Sequence, residues 1–330
     1  MFETAEAIEC NFDAIELAEK HDLAHLLGMQ NDAYYRAVFR ADIQDAALKE
    51  LSAAFEKAGI DYMPLKGAVI RKYYPEPWMR TSCDIDIYIN PKDLQSAKAV
   101  AESCGAVFLP QDSNSLHLQF NMPNGTALEL HTSLSFGIES SSGAEFESKC
   151  IRGEGHKLHL NSEDFYAYHI YHMKEHFING GCGIKPFLDI AVMKKKFPDL
   201  SYNGKYKAFE KEAANLAEYW FLDGKNHNAT MENYVINGGV YGSTEQKVAA
   251  KASGKGKTEY ALKRVFMPMD SMVKMYPVLE KEPGMLPFFW GKRAIDIVCG
   301  GKLKRAATEL KQLAKKDTET EKLMRDLELI

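Results

Sequence analysis

Two aspartates lie one residue apart in the apolar stretch CDIDIYI at residues 83–89. Side chains alternate along a strand, so Asp84 and Asp86 share one face while isoleucines occupy the other. Two carboxylates this close repel one another unless a cation lies between them. A divalent metal ion would remove that repulsion. The alternative, a strand with an ordinary solvated face, explains an isolated Asp-x-Asp pair equally well.

A third carboxylate favours the metal site. In ALELHTSL, residues 127–134, Glu129 and His131 share one strand face and leucines share the other. If this strand lies beside the Asp strand, Glu129 converges with Asp84 and Asp86. Three oxygen donors suit Mg²⁺ or Mn²⁺, hard ions that complete their coordination with water and substrate phosphates.

Cationic residues close to the acids favour phosphate as the ligand. Lys66 and Gly67 form a turn signal between a short strand and a short helix, where backbone N–H groups and the helix dipole attract phosphate. Arg80 precedes the first aspartate by four residues, and its guanidinium matches phosphate oxygens. Together, the acids, the turn and the arginine indicate phosphoryl chemistry.

Two histidines on a predicted helix are weaker candidates. His172 and His176 are four residues apart, but the sequence lacks the glutamate of His-Glu-x-x-His, which argues against a zinc protease. The sequence favours neither of two roles for this pair, contact with substrate in a cleft or a purely structural role. His131 is a better candidate for substrate contact. Lys185 and Asp189 also face the cleft in one interpretation, although a structural role is favoured for Asp189.

The elements that must position these residues follow from periodicity and turn signals. Helical spacing continues to residue 58, a hairpin is indicated by Pro123-Asn124-Gly125, and the chain beyond the Ser/Gly-rich loop at 137–146 is mainly helical. Between them the pattern predicts an α/β unit from about residue 59 to 136. Its predicted strands are residues 60–65, 83–89, 115–122 and 126–134.

Composition restricts the class of protein. The chain has 330 residues, 45% of them hydrophobic, and a net charge of −5, so nucleic acid is an unlikely default partner and no protein partner can be inferred. Six cysteines without metal-ligand spacing argue against a zinc site or a disulfide framework. An acidic start and the absence of an apolar run of ~20 residues predict a cytoplasmic protein with no membrane association.

The motifs resemble the uncharacterised nucleotidyltransferase family of the DNA polymerase β-like superfamily. The resemblance rests on LKG, YYPEPWMRTSCDIDIYI and LELHTSL, and more weakly on HIYHMKEHF and GIKPFLDIAVM. It implies an α+β fold: a small mixed sheet with flanking helices plus a mainly helical C-terminal region. The implied organisation is an N-terminal helical segment (1–58), a catalytic core (59–150) and a helical domain completing the cleft (151–330).

The resemblance also implies roles for individual residues. Asp84 and Asp86 would bind both metal ions, and Glu129 would bind the catalytic ion and activate the acceptor hydroxyl. The Gly67 turn would hold the nucleoside triphosphate. The turn departs from the family pattern, because Lys66-Gly67-Ala68 offers no serine or second glycine. Ser82, Thr81 and Lys66 remain alternative replacements for the missing hydroxyl.

The predicted reaction is transfer of a nucleoside monophosphate from a triphosphate to an unidentified acceptor hydroxyl, with release of pyrophosphate. Lys66 and Arg80 would offset phosphate charge. A glycosyltransferase using its Asp-x-Asp pair on a sugar nucleotide is the alternative, but it leaves Glu129 and the lysine-glycine turn without clear roles. A nucleotide-binding module without activity is the third alternative.

Overall fold

A five-stranded mixed sheet forms the centre of the computed structural model, which describes residues 24–109, 117–132, 149–239, 243, 246, 266–299 and 318–330. Its strands are β1 (Tyr62–Pro64), β2 (Asp84–Ile89), β3 (Val107–Leu109), β4 (His117–Asn121) and β5 (Ala127–His131). They are arranged in the order β1-β2-β5-β4-β3, with β2 and β5 parallel and the other pairs antiparallel. Strands β6 (Ile151–Arg152) and β7 (Leu158–His159) pair separately.

Helices surround this sheet and make up most of the remaining described chain. They are α1 (Ala24–Ala58), α2 (Gly67–Ile70), α3 (Leu94–Ser103), α4 (Ser162–Ile178), α5 (Lys185–Lys196), α6 (Lys207–Phe221), α7 (Ala229–Gly238), α8 (Met269–Met275), α9 (Val278–Lys281), α10 (Leu286–Cys299) and α11 (Thr318–Asp326). Short 3-10 helices lie at Arg71–Tyr73, Pro77–Met79, Pro91–Asp93 and Pro283–Met285. The predicted α+β class is therefore confirmed. In the described part of the chain, no helix combines the length and apolar character needed to cross a bilayer.

Local signals set several of these boundaries. Helix α1 ends where Gly59 takes a φ of 68°, and the predicted hairpin between β4 and β5 turns at Gly125, which has a φ of 80°. The Asn161 side chain accepts a hydrogen bond from the Asp164 backbone and caps α4. Strand β3 and the β6–β7 pair were not predicted, because strands of two or three residues are too short to show alternation.

Other predictions fall partly outside the described residues. The helix predicted before residue 24, the Ser/Gly-rich loop at 137–146 and much of the chain from 240 to 265 and from 300 to 317 are in this group. The proposed three-part division of the chain stays a prediction.

The back face of the sheet is apolar and packs against α1 and α3. Ile85, Ile87 and Ile89 of β2 are almost completely buried, in contact with a cluster that includes Leu51 and Phe55 of α1. Burying one such side chain stabilises the fold by about 1.5–3 kcal/mol. The alternation predicted for β2 thus directs its isoleucines into a core.

The front face of the sheet is covered by the helical region. A second core joins Met63 and Leu65, at the end of β1, and Tyr88 of β2 to α4, α5, α6, α7 and α11. Asp86 on this face is only 2% exposed. The alternative of an ordinary solvated strand face therefore does not hold for Asp86, because the helices cover that part of the sheet.

A buried ion pair connects the segment before β2 to α5. Arg80 Nε lies 2.7 Å from Asp189 Oδ1 and Arg80 Nη2 lies 2.9 Å from Asp189 Oδ2. The Tyr74 hydroxyl donates to the same carboxylate at 2.7 Å. Burial opposes the charge on Arg80, but the Asp189 carboxylate outweighs it and raises the pKa of the guanidinium. The favoured structural role of Asp189 agrees with this position.

We expect Asp189→Asn to lower the free energy of unfolding by about 3–5 kcal/mol, because it preserves volume but leaves the buried Arg80 charge unpaired. Urea denaturation measures the change. The control is Glu321→Ala, which breaks the exposed pair with Arg325 at 2.9 Å and should cost less than about 1 kcal/mol. Equal effects of the two substitutions would contradict a structural role for the buried pair.

Candidate active site

The register of β2 against β5 brings the three predicted carboxylates together. Asp86 pairs with Glu129 and Asp84 pairs with Ala127, so all three acids project from the front face. Asp84, Asp86 and Glu129 each offer an oxygen, and these oxygens all lie within 4.8 Å of one another. The expected convergence is therefore present in the structure. Metal binding by the three residues stays a prediction.

Two side chains contact the carboxylate of the buried Asp86. Lys66 Nζ and His131 Nε2 each lie 2.7 Å from Asp86 Oδ1. Burial alone would raise the pKa of Asp86, but the hydrogen bond to His131 and the charge of Lys66 lower it well below its usual range. His131 also lies 3.3 Å from Glu129 Oε2, and this hydrogen bond lowers the pKa of Glu129 despite partial burial. Both carboxylates are consequently ionised at neutral pH.

Lys66 reaches Asp86 from a backbone conformation that favours glycine. Its φ is 45° and its ψ is −119°, close to the first central position of a type II′ turn. The Ala68 N–H closes this turn by donating to the Leu65 carbonyl at 3.1 Å. Such strain costs about 1–3 kcal/mol in a residue with a side chain, and it typically persists at functional sites.

Ser82 places a hydroxyl beside the Gly67 turn. A Cβ atom built on Gly67 would lie 3.2 Å from both Cβ and Oγ of Ser82, so this position leaves little room for a side chain. The Ser82 hydroxyl donates to Asp84 Oδ1 at 2.7 Å. The turn has no serine of its own, but Ser82 lies beside it and also contacts Asp84.

A buried hydrogen-bond network behind the Gly67 turn was not predicted from the sequence. Arg71 donates from Nε to the Gly67 carbonyl at 3.2 Å and from Nη2 to Gln44 Oε1 at 2.6 Å. Gln44 on α1 donates in turn to the Ser82 carbonyl at 3.0 Å. Arg71 is 3% exposed and Gln44 is 2% exposed. Helix α1 thereby supports both the turn and the start of β2, and no local pattern signals this.

Strand β4 extends the polar front face with two further residues that were not predicted. Gln119 donates to Glu129 Oε1 at 2.8 Å, and His117 lies directly opposite His131 in the β4–β5 register. The alternation of His117, Leu118 and Gln119 is the signal that could have identified them, because the predicted hairpin places this strand against that of Glu129.

Helix α4 places the two predicted histidines near Lys66. His172 Nε2 and His176 Nε2 lie 3.2 Å apart. Burial, with the charge of Lys66, lowers the pKa of both imidazoles, most strongly that of His172. Lys185, at the start of α5, lies with Nζ 3.4 Å from the Thr81 carbonyl. The histidines therefore lie within electrostatic range of Lys66, and Lys185 lies within range of Asp84. The predicted cleft at this place, and contact of these residues with a ligand in it, stay predictions.

Arg80 is a predicted site residue, but in the structure its guanidinium binds Asp189. Its Nε and Nη2 bind Asp189, and its Nη1 donates to the Thr81 carbonyl at 2.9 Å. The residue is 9% exposed. Direct contact between Arg80 and phosphate stays a prediction, and this placement does not favour it.

Comparison with known proteins adds a family match. A profile of the uncharacterised nucleotidyltransferase family matches residues 14–216 of the chain. Among solved structures, the chain is similar to the antibiotic-resistance factor ANT(2'')-Ia, whose solution structure is described as revealing substrate-regulated conformation dynamics. The identity is 12%, the match covers 68% of this chain and 97% of that chain, and the TM-score of 0.29 does not establish a shared fold. A search of curated proteins found no match.

A comparison of Lys66→Gly with Lys66→Ala isolates the backbone strain, because both substitutions remove the ammonium group. Strain should cost the alanine variant about 1–3 kcal/mol, while the greater freedom of glycine in the unfolded chain costs about 0.4–1 kcal/mol. We expect Lys66→Gly to be more stable than Lys66→Ala by about 1 kcal/mol in urea denaturation without divalent ions. An alanine variant at least as stable as the glycine variant would show that the turn is unstrained.

Proposed function

Because the chain belongs to the uncharacterised nucleotidyltransferase family, we propose that it transfers a nucleoside monophosphate from a nucleoside triphosphate to an acceptor hydroxyl in a metal-dependent reaction. The observation that carries this proposal is the convergence of Asp84, Asp86 and Glu129 within 4.8 Å on one face of the sheet. Cationic side chains at the same cleft suit a substrate that carries several negative charges.

The donor set fits a hard divalent ion. Asp84, Asp86 and Glu129 supply carboxylate oxygens, which Mg²⁺ and Mn²⁺ prefer as ligands. When bound there, such an ion supplies charge neutralisation for the reacting phosphate and the oxygens around it. The His131 contacts to Asp86 and Glu129 orient two of these carboxylates.

In the proposed reaction the acceptor oxygen forms a bond to the α-phosphorus, and the bond from that phosphorus to the pyrophosphate oxygen breaks. Glu129 accepts the proton of the acceptor hydroxyl, because its ionised carboxylate lies next to the other two acids at the proposed reaction site. Lys66 and Lys185, both cations bordering the cleft, offset charge on the departing phosphates. Positioning and electrostatics supply the rate, without a covalent enzyme intermediate.

Ser82 is the proposed replacement for the hydroxyl that the turn lacks. Its Oγ would lie 3.2 Å from a Cβ built on Gly67, so the hydroxyl occupies space next to the turn itself. Its hydrogen bond to Asp84 aligns it with the carboxylates. This assignment favours Ser82 over Thr81 and Lys66, since the Lys66 ammonium is already bound to Asp86.

The test uses the full chain with each α-labelled nucleoside triphosphate and Mg²⁺ or Mn²⁺. The acceptor panel contains protein hydroxyls, small metabolites, aminoglycoside-type sugars and RNA ends, and both pyrophosphate release and label transfer are measured. We expect Asp84→Asn and Glu129→Gln to lose at least about 100-fold in rate, because each replaces a charged carboxylate ligand of the proposed metal ion with a neutral amide. Asp199→Asn, an exposed carboxylate, is the matched control and should retain wild-type activity.

Three outcomes would overturn this proposal. Turnover of sugar nucleotides without any triphosphate would favour the glycosyltransferase instead. Triphosphate binding without pyrophosphate release, for every acceptor in the panel, would favour a binding module without activity. Full activity of Asp84→Asn or Glu129→Gln, in variants that melt like the wild type, would show that the carboxylates are not the reaction site.

A further inference from the structure

A second group of metal-ligating side chains lies beside the carboxylates. His117, Glu129 and His131 each offer one ligand atom, and these atoms all lie within 4.8 Å of one another. His117 and His131 face each other across β4 and β5, with ring centroids 5.2 Å apart. Glu129 belongs to both groups. The other two ligands of the second group are imidazole nitrogens, whereas those of the first group are carboxylate oxygens.

The distances are close to those of a coordinated ion. His131 Nε2 lies 3.3 Å from Glu129 Oε2, and His117 Nε2 lies 4.0 Å from Glu129 Oε1. Two ligands of one tetrahedral Zn²⁺ ion are separated by about 3.3–3.5 Å, since Zn–N and Zn–O distances are about 2.0–2.2 Å. The first pair already has this separation, and the second, which involves the other oxygen of the same carboxylate, exceeds it by about 0.5 Å.

The side-chain amide of Gln119 indicates which nitrogen of His117 presents a lone pair. Gln119 Nε2 lies 3.1 Å from His117 Nε2 and donates to Glu129 Oε1 at 2.8 Å. Because an amide nitrogen only donates, His117 Nε2 accepts this hydrogen bond through the lone pair that would bind a metal, so Gln119 must turn away from it when an ion binds. Gln119 also fixes the orientation of Glu129, as outer hydrogen bonds do around metal ligands.

The surroundings allow access while preserving the charge balance of the adjacent acid. The side chains of His117, Glu129 and His131 are 30%, 19% and 14% exposed, so an ion can reach them. His131 also contacts Asp86, but Lys66 remains bound to Asp86 at 2.7 Å when His131 turns to an ion. Asp86 therefore keeps a cationic partner.

We propose that His117, Glu129 and His131 form a second site, which shares Glu129 with the carboxylate group, for a borderline transition-metal ion of the Zn²⁺ class. Imidazole nitrogen selects such ions over Mg²⁺, whereas the carboxylate group prefers hard ions. Three protein ligands leave one tetrahedral position open to water or substrate oxygen. The inference goes beyond the proposed transfer reaction and does not need it, because ion binding is measured without any nucleotide.

The test titrates the full chain with Zn²⁺ by calorimetry and with Co²⁺ by visible absorption, in the absence of nucleotide. We expect His117→Gln to weaken Zn²⁺ binding at least about 10-fold and to reduce the tetrahedral Co²⁺ absorption. His227→Gln is the matched control, because His227 contacts Glu232 and belongs to neither group of ligands, so this variant should bind Zn²⁺ like the wild type. Asp84→Asn should weaken Mn²⁺ binding while leaving Zn²⁺ affinity unchanged, since Asp84 belongs only to the carboxylate group.

Nitrogen-detected NMR of the wild-type imidazoles provides a measurement that does not depend on a variant folding. Zn²⁺ should shift the resonances of His117 and His131 and leave that of His227, which binds Glu232, in place. Unchanged Zn²⁺ affinity in a folded His117→Gln variant would overturn the proposal. So would a Zn²⁺ titration that shifts neither His117 nor His131. Loss of nucleotide transfer alone would bear on the proposed function and not on this site.

Discussion

The parallel pairing of β2 with β5 is the constraint on which the rest of the site depends. Its register places Asp86 opposite Glu129, and a slip of one residue would turn either acid to the other face of the sheet. The apolar back face prevents such a slip, because Ile85 and Ile87 would then leave the core formed with α1 and α3. Hydrophobic packing on one side of the sheet thus determines where the carboxylates meet on the other.

The buried acid imposes a second constraint, since a carboxylate with 2% exposure requires partners. Lys66 and His131 supply them, one from the turn after β1 and one from the end of β5. Lys66 can do so only because its backbone adopts the conformation of a type II′ turn. The strained turn and the acidic strand therefore form one electrostatic unit, joined by the contact between Lys66 and Asp86.

Support for this unit comes from parts of the chain that carry none of its chemistry. Gln44 on α1 and the buried Arg71 hold the Gly67 carbonyl and the Ser82 carbonyl from behind. Arg80 and Asp189 connect the segment before β2 to α5 in the helical region. These contacts join the sheet to helices on both sides. The positions of the three carboxylates therefore depend on the surrounding helices as well as on the central strands.

The sequence by itself determined the elements whose signals are local. Alternation in β2 and β5 predicted which acids share a strand face, and the hairpin turn predicted that β5 lies beside β4. The convergence of Asp84, Asp86 and Glu129 was predicted on the condition that β5 also lies beside β2, as it does. Family membership agrees with that prediction. These features could be predicted because side-chain direction in a strand and the residues of a tight turn depend on near neighbours in sequence.

Only the tertiary structure decided the partners of the individual charges. Arg80 binds an aspartate 109 residues away in sequence, and Gln44 meets Arg71 from a helix on the opposite side of the sheet. No periodicity encodes such contacts, because they arise when separate elements pack and each buried polar group finds whichever partner lies within hydrogen-bond distance.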